Sequence, residues 1–204
     1  MSQQPRNEPS LINTSDVSWV ILAGGQASRM NGNDKGLVTL ADKPLIEYVY
    51  QTMSLQTDSI FINANRNLDF YRQYAPTFSD QLADYPGPLA GIHAALKQID
   101  SEWVGFVPCD CPKLPSDLVS KMVAGCDSDT DIAVAHSGES LQPVVTIFNK
   151  RVLPILEQFL KNGDRKIILL YVLCNTVEID FSQQPQAFIN LNTPSELQQY
   201  GELL

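Results

Sequence analysis

Histidine is nearly absent: the 204-residue chain has two, His93 and His136, far apart in sequence. That scarcity weighs against a catalytic histidine pair and against a multi-histidine zinc site. Cysteine is sparse too. Cys109, Cys111, Cys126 and Cys174 show neither paired C-x-x-C spacing nor the density of a disulfide-stapled domain, so a reducing, cytoplasmic compartment is the simpler expectation. The longest apolar run, residues 167–173, is seven residues, far short of the roughly 20 that a spanning helix needs. No membrane span is expected. The first residues are polar and lack the apolar stretch of a secretory signal, and residues 1–16 are expected to form a disordered tail ahead of one domain over residues 17–204. Positive charge is also short: 14 Lys and Arg against 23 Asp and Glu leave a net charge of −9. That balance argues against a broad surface for nucleic acid and disfavours an acidic membrane.

What is present is an ordinary globular composition, 44% hydrophobic, at a length that roughly 100–200 residues per domain assigns to one domain. The run W-V-I-L-A from Trp19 ends in Gly24 and Gly25, the form of a buried parallel strand entering a tight loop. Residues 44–53 follow as a helix with proline in its first turn, residues 59–64 as a second strand and residues 67–74 as a second helix. The alternation continues through a helix at 89–99, a strand at 102–107, a helix at 115–122, and strands at 131–135 and 144–148. Helices are expected at 150–160 and 164–173, although residues 167–173 read equally as a buried strand. Short strands at 177–181 and 187–191 precede a last helix from Thr193 or Pro194. This βαβ order implies a three-layer α/β domain with a mostly parallel, Rossmann-like sheet, whose ligands bind at the carboxyl ends of the strands.

The first constellation is Leu22, Ala23, Gly24 and Gly25, then Arg29 and Met30, then Asp34 and Lys35. Paired glycines after a strand let backbone N–H groups approach phosphate oxygens without Cβ clashes. Arg29 and Lys35 add positive charge beside the same loop, one as a planar fork and one as a point charge. Neither the G-x-x-x-x-G-K-[ST] loop nor the G-x-G-x-x-G fingerprint fits, because Gly24, Gly25 and Gly32 have the wrong spacing. P-loop hydrolysis and nicotinamide oxidoreduction therefore both fall.

The pattern L-A-G-G-x-x-x-R-M followed by D-K-G-L resembles the nucleotidyltransferase loop of the molybdenum cofactor guanylyltransferases. The resemblance extends through Asn63, Ala64, Asn65 and Arg66, through Asp80 and the stretch L-A-D-Y-P-G-P-L-A-G from Leu82 to Gly91, through Pro108, Cys109 and Asp110, and through N-L-N-T-P from Asn190 to Pro194. It covers residues from about 17 to 200, in order. One departure is Asn31, where the family has R-M-G-G; asparagine tolerates left-handed backbone better than most residues. The resemblance implies a sheet of the nucleotidyltransferase type. It also implies that Leu22, Ala23, Gly24, Lys35, Asn63, Asp80 and Asp110 contact GTP, with Gly25 in the same loop, and that Asp110 holds Mg²⁺. Asp110 follows an apolar strand, where a loop carboxylate can reach a hard cation bridged to phosphate.

The implied reaction transfers GMP from GTP to the terminal phosphate of molybdenum-molybdopterin and releases pyrophosphate. The attacking phosphate is already ionised near neutral pH, so the demand is for positioning and charge neutralisation, which Arg29, Lys35, the loop amides and Mg²⁺ on Asp110 would supply. On the pterin side stand Asn190, Asn192 and Arg165, although N-T-P reads equally as a capped helix start. Lys166 is a further candidate phosphate contact. Asp80 and Asp84 read equally as turn residues ahead of Pro86. Cys109 and Cys111 read as small packing residues, His93 as packing on an apolar helix face, and His136 as a turn residue. A cytidylyltransferase acting on the same cofactor or on a sugar phosphate, and a non-catalytic GTP-binding module, stand as alternatives. Expected protein partners, from the resemblance alone, are the molybdate-inserting enzyme and recipient apoenzymes.

Overall fold

The computed structural model describes residues 12–24, 34–82 and 87–201. Gly25, Arg29, Met30 and Asn31 of the glycine loop, and Asp84, Tyr85 and Pro86, lie outside the described residues, as do residues 1–11 of the expected tail.

Strand β1 (Val17–Leu22) is apolar in consecutive positions because both its faces are covered. Val17, Trp19 and Ile21 enter one core and Val20 the other. On the first face lie α1 (Leu45–Ser54), α2 (Leu68–Tyr71) and α4 (Leu118–Ala124); on the second lie α3 (Pro88–Gln98), α5 (Leu153–Lys161) and α6 (Ile167–Tyr171). Between the layers runs a seven-stranded sheet. Its order is β5 (Thr77–Phe78), β4 (Ile60–Asn63), β1, β6 (Trp103–Pro108), β8 (Leu141–Asn149), β7 (Ile132–His136) and β9 (Thr176–Asp180). All neighbouring pairs are parallel except the two made by β8.

The chain leaves β1 toward β4 and β5 on one side, then returns to place β6 on the other. Loops at the carboxyl ends of β1, β4 and β6 therefore diverge, and that divergence opens a crevice in an α/β sheet. A separate two-stranded ribbon, β2 (Thr39–Leu40) with β3 (Lys43–Pro44), turns through Ala41 and Asp42, both at positive φ (46° and 67°). Leu40 and Leu45 join Leu191 in a small third core, against which Leu197 and Tyr200 of α7 (Pro194–Gly201) pack. The carboxyl-terminal segment is thereby fastened next to the ribbon.

Several expectations are corrected. Residues 12–16 are not a disordered tail: Thr14–Asp16 form a 3-10 turn closed by Asn13 N–H to Asp16 Oδ2 (2.9 Å), and Ile12 packs on the first core. Residues 187–191 do not form a strand. The turn Pro185–Phe188 plugs Ala187 and Phe188 into the first core instead, with Phe188 edge-on to Phe181 at 5.3 Å. Residues 167–171 settle as helix, the second expected helix shortens to α2, and His136 closes β7 rather than lying on a turn. Among the described residues no helix is long and apolar enough to cross a membrane.

Candidate functional site

A cleft of about 270 Å³ opens at the crevice between β1, β4 and β6. Leu22, Ala23 and Gly24 line it from the end of β1, Asn63 from the end of β4, and Pro108, Cys109 and Asp110 from the end of β6. Gly87, Pro88 and Gly91 bring the start of α3, the positive end of its dipole, to the same wall. Lys35, Asp80 and Val144 complete the lining. The seven residues expected from the sequence to meet the nucleotide thus share one cleft; Gly25 and Arg29 lie outside the described residues.

Two hydrogen-bonded groups set its shape. In the first, the Asp80 carboxylate accepts from Asn63 Nδ2 (2.9 Å) and from Asn65 Nδ2 (2.7 Å), while Asn65 Oδ1 accepts from the Asp80 backbone N–H (2.9 Å) and Asn65 Nδ2 also reaches Gly24 O (3.0 Å). The end of β4 is tied to two of its neighbours by one pair of asparagines. Gly91 fits because α3 rides directly on this group: a Cβ there would stand 2.4 Å from Asn63 Oδ1 and 2.9 Å from Leu22 Cδ2.

In the second group, Lys35 Nζ forms an ion pair with Asp110 and donates to Asn192 Oδ1. Asp110 is 6% exposed, and its buried carboxylate is paired with that lysine. The cleft lining thus carries one lysine paired with a buried carboxylate, and the start of α3 on the same wall.

The MobA-like NTP transferase domain model matches residues 19–174. A curated molybdenum cofactor guanylyltransferase of Photobacterium profundum is 65% identical over 188 residues, 92% of this chain and 97% of that protein. The chain belongs to the molybdenum cofactor guanylyltransferase family. A second member, from Aliivibrio fischeri (strain MJ11), is 58% identical over 95% of this chain and 100% of its own length. Among solved structures, molybdopterin-guanine dinucleotide biosynthesis protein A of Archaeoglobus fulgidus superposes with a TM-score of 0.74 at 23% identity, over 91% of this chain and 97% of that one. A CMP:2-keto-3-deoxy-manno-octonic acid synthetase complexed with CTP does so at 0.71 and 14% identity, over 93% and 98%. These two likenesses show the fold.

In this guanylyltransferase family member, the N-L-N-T-P segment forms the capped helix start and borders the Lys35–Asp110 pair. Thr193 caps α7, with Oγ1 accepting from Glu196 N–H (3.2 Å), and Glu196 Oε2 accepts from the N–H groups of Asn192 (2.7 Å) and Thr193 (2.8 Å). Those bonds hold the Glu196 carboxyl below its usual range, the Asn192 bond first. Asn192 meanwhile turns its side chain to Lys35, and Leu191 N–H donates to Asp110 O (3.1 Å). Asn190 accepts from Cys111 Sγ at 3.0 Å, behind the Asp110 loop. Arg165 is not brought to the cleft lining; its guanidinium donates to Leu160 O and Asp164 O in the loop between α5 and α6.

Cys109 and Cys111 are buried, and burial, reinforced by the charge of Asp110, pushes both thiols up, so they stay protonated. They pack as small apolar residues. No cluster of three His, Cys, Asp or Glu able to hold a metal occurs among the described residues. His93 is buried between α3 and α5, with Nε2 3.3 Å from Glu157 Oε1, and His136 Nδ1 accepts from Gly138 N–H. Neither belongs to the cleft lining. Asn65 and Asp34, which the sequence places in the N-A-N-R and D-K-G motifs without a role of their own, prove to be structural partners of the cleft: Asn65 binds Asp80 and Asp34 caps the turn that carries Lys35.

Proposed function

We propose that the cleft binds GTP with Mg²⁺ and that the chain transfers GMP to the terminal phosphate of molybdenum-molybdopterin, releasing pyrophosphate. The observation that carries this reading is the gathering of Leu22, Ala23, Gly24, Lys35, Asn63, Asp80 and Asp110 into one cleft, with Lys35 and Asp110 paired. An oxygen of the acceptor phosphate bonds to the α-phosphorus of GTP as the bond from that phosphorus to the bridging oxygen of pyrophosphate breaks. The attacking oxygen is already ionised, so no side chain has to remove a proton. Lys35 and the positive end of α3 would offset charge on the triphosphate, and the backbone at Gly24 lets it approach closely.

Among the described residues no cluster of three ligating side chains includes Asp110, and a single buried carboxylate suits a hard cation that completes its shell with phosphate oxygens and water. Asp110 would hold Mg²⁺ in that way, and the ion would supply charge neutralisation on the phosphates. On the base side, a carboxylate fixed by two amides offers two acceptors for the adjacent N1–H and N2–H₂ donors of guanine, whereas cytosine presents one exocyclic donor beside acceptors. Asp80 thus favours GTP. The same reading takes the cytoplasm as compartment, in keeping with four free cysteines, and the molybdate-inserting enzyme and recipient apoenzymes as partners.

The test is pyrophosphate release with molybdenum-molybdopterin and Mg²⁺ in the presence of GTP, CTP or ATP. Release with GTP well above the other two is expected. Preference for CTP would replace the reading with a cytidylyltransferase, and GTP binding without product would make the chain a non-catalytic module.

A further inference from the structure

Lys35 does not hold its own position. It opens a 3-10 turn, Lys35–Leu37, whose N-terminal cap is Asp34. The Asp34 carboxylate is 8% exposed. Its Oδ1 accepts from Tyr71 Oη (2.5 Å) and from Gly36 N–H (3.3 Å), and its Oδ2 accepts from Asn67 Nδ2 (3.0 Å). Three neutral donors, two of them side chains from α2 and its entrance, thus fix one buried charge from different directions, the condition under which a buried carboxylate is tolerated. Tyr71 is wholly buried and outside the cleft lining. Burial first, and then Cys109 and the hydrogen-bonded Asp34 carboxylate, push its hydroxyl up, so it remains an O–H donor. The turn lies directly on that hydroxyl: a Cβ at Gly36 would stand 2.4 Å from Tyr71 Oη. On its other side the same turn sends Lys35 to Asp110 and Asn192.

We propose that Asp34 and Tyr71 are positioning residues for Lys35: the Tyr71–Asp34 hydrogen bond seats the turn so that the lysine meets the nucleotide, and Tyr71 sets GTP affinity without touching GTP. This rests on the GTP-binding reading of the cleft. It assigns the glycine of the D-K-G triplet to clearance over Tyr71 Oη.

The test is the dissociation constant of Mg-GTP, by calorimetry without molybdopterin, for the wild type, Tyr71→Phe, Lys35→Ala and the double variant, each at a temperature well below its own melting point. Tyr71→Phe keeps the ring and removes one hydrogen bond to a charged group, so affinity falls about tenfold. In the Lys35→Ala background the same change has less than about a twofold effect, because the two act as one unit. An equal loss in both backgrounds would show that Tyr71 acts on the fold at large and would overturn the proposal, as would Tyr71→Phe binding like the wild type. If Tyr71→Phe does not fold, Gly36→Ala, which sets a methyl group against Tyr71 Oη and displaces the turn, takes its place with the same expected dependence on Lys35. Failure of the wild type itself to bind GTP would instead remove the reading on which the proposal stands.

Discussion

On the β4–β1–β6 side of the sheet, cleft residues leave the carboxyl ends of parallel strands or segments bonded to them; on the β8–β7–β9 side, the strands themselves contribute only Val144 to the lining. After β9 a strap follows that bonds to lining residues without lining the cleft itself. Leu191 bonds to Asp110, Asn192 to Lys35, and the strap is anchored by the small core of Leu40, Leu45 and Leu191. The difference is one of cause. The first side is placed by the sheet, with the Asp80–Asn63–Asn65 group locked inside it, whereas the strap takes its position from contacts it makes onto the first side. Damage to the first side should therefore reach the cleft directly, and damage to the strap should reach it only through Lys35 and Asp110.

The largest effect is expected at Asp110, where both sides meet. Asp110→Ala should lower pyrophosphate release by at least about a thousandfold, the scale of losing a main electrostatic contact at a reacting centre, while the circular dichroism spectrum stays native; wild-type-like turnover would break the metal assignment. Next is Gly91→Ala, which drives a methyl group against Asn63. Overpacking of this kind costs about 1–3 kcal/mol, so GTP affinity should fall about tenfold or more on titration, through distortion of the Asp80 group. Asn192→Ala removes one hydrogen bond from Lys35 and should raise the KM for GTP by less than Gly91→Ala lowers affinity; an equal or larger effect would erase the distinction between the two sides.

The smallest effect concerns pH. Glu196 is a carboxylate held below its ordinary range by the Asn192 and Thr193 N–H groups. Its stabilising bonds are complete above the ordinary carboxylate range and are lost as pH falls through the lowered value. Amide hydrogen exchange at Asn192 and Thr193 should accelerate over that acidic window in the wild type, and Glu196→Gln should remove the dependence.

The same contrast governs what could be read from the sequence. The run at Trp19 announces a strand buried on both faces, because both of its faces are in fact covered, and the N-A-N-R and P-C-D stretches end strands as their positions imply. The strap was harder. Residues 187–191 have a strand's composition, but Phe188 and Ala187 owe their apolarity to a loop that plugs the core, which periodicity cannot separate from a strand. Strand β8 begins at Leu141, before Gln142 and Pro143 break the apolar pattern, and a two-residue β5 leaves no pattern at all. Asn65 and Asp34 are polar residues in loops, and their partners, Asp80 and Tyr71, lie far along the chain. Such long-range polar contacts leave no local trace.

The reversal of β8 also bears on the order in which the chain assembles. β7 and β8 are joined by a short turn, in which Ser137 N–H bonds to Ser140 O at 3.0 Å. Their pairing closes a small loop at little entropic cost, whereas β1 meets β6 only after every residue between Leu22 and Trp103 has been enclosed. The hairpin can therefore form early and offer β8 as a template for β6. The cleft, which exists only once β1 is seated between β4 and β6, is among the last features to become complete.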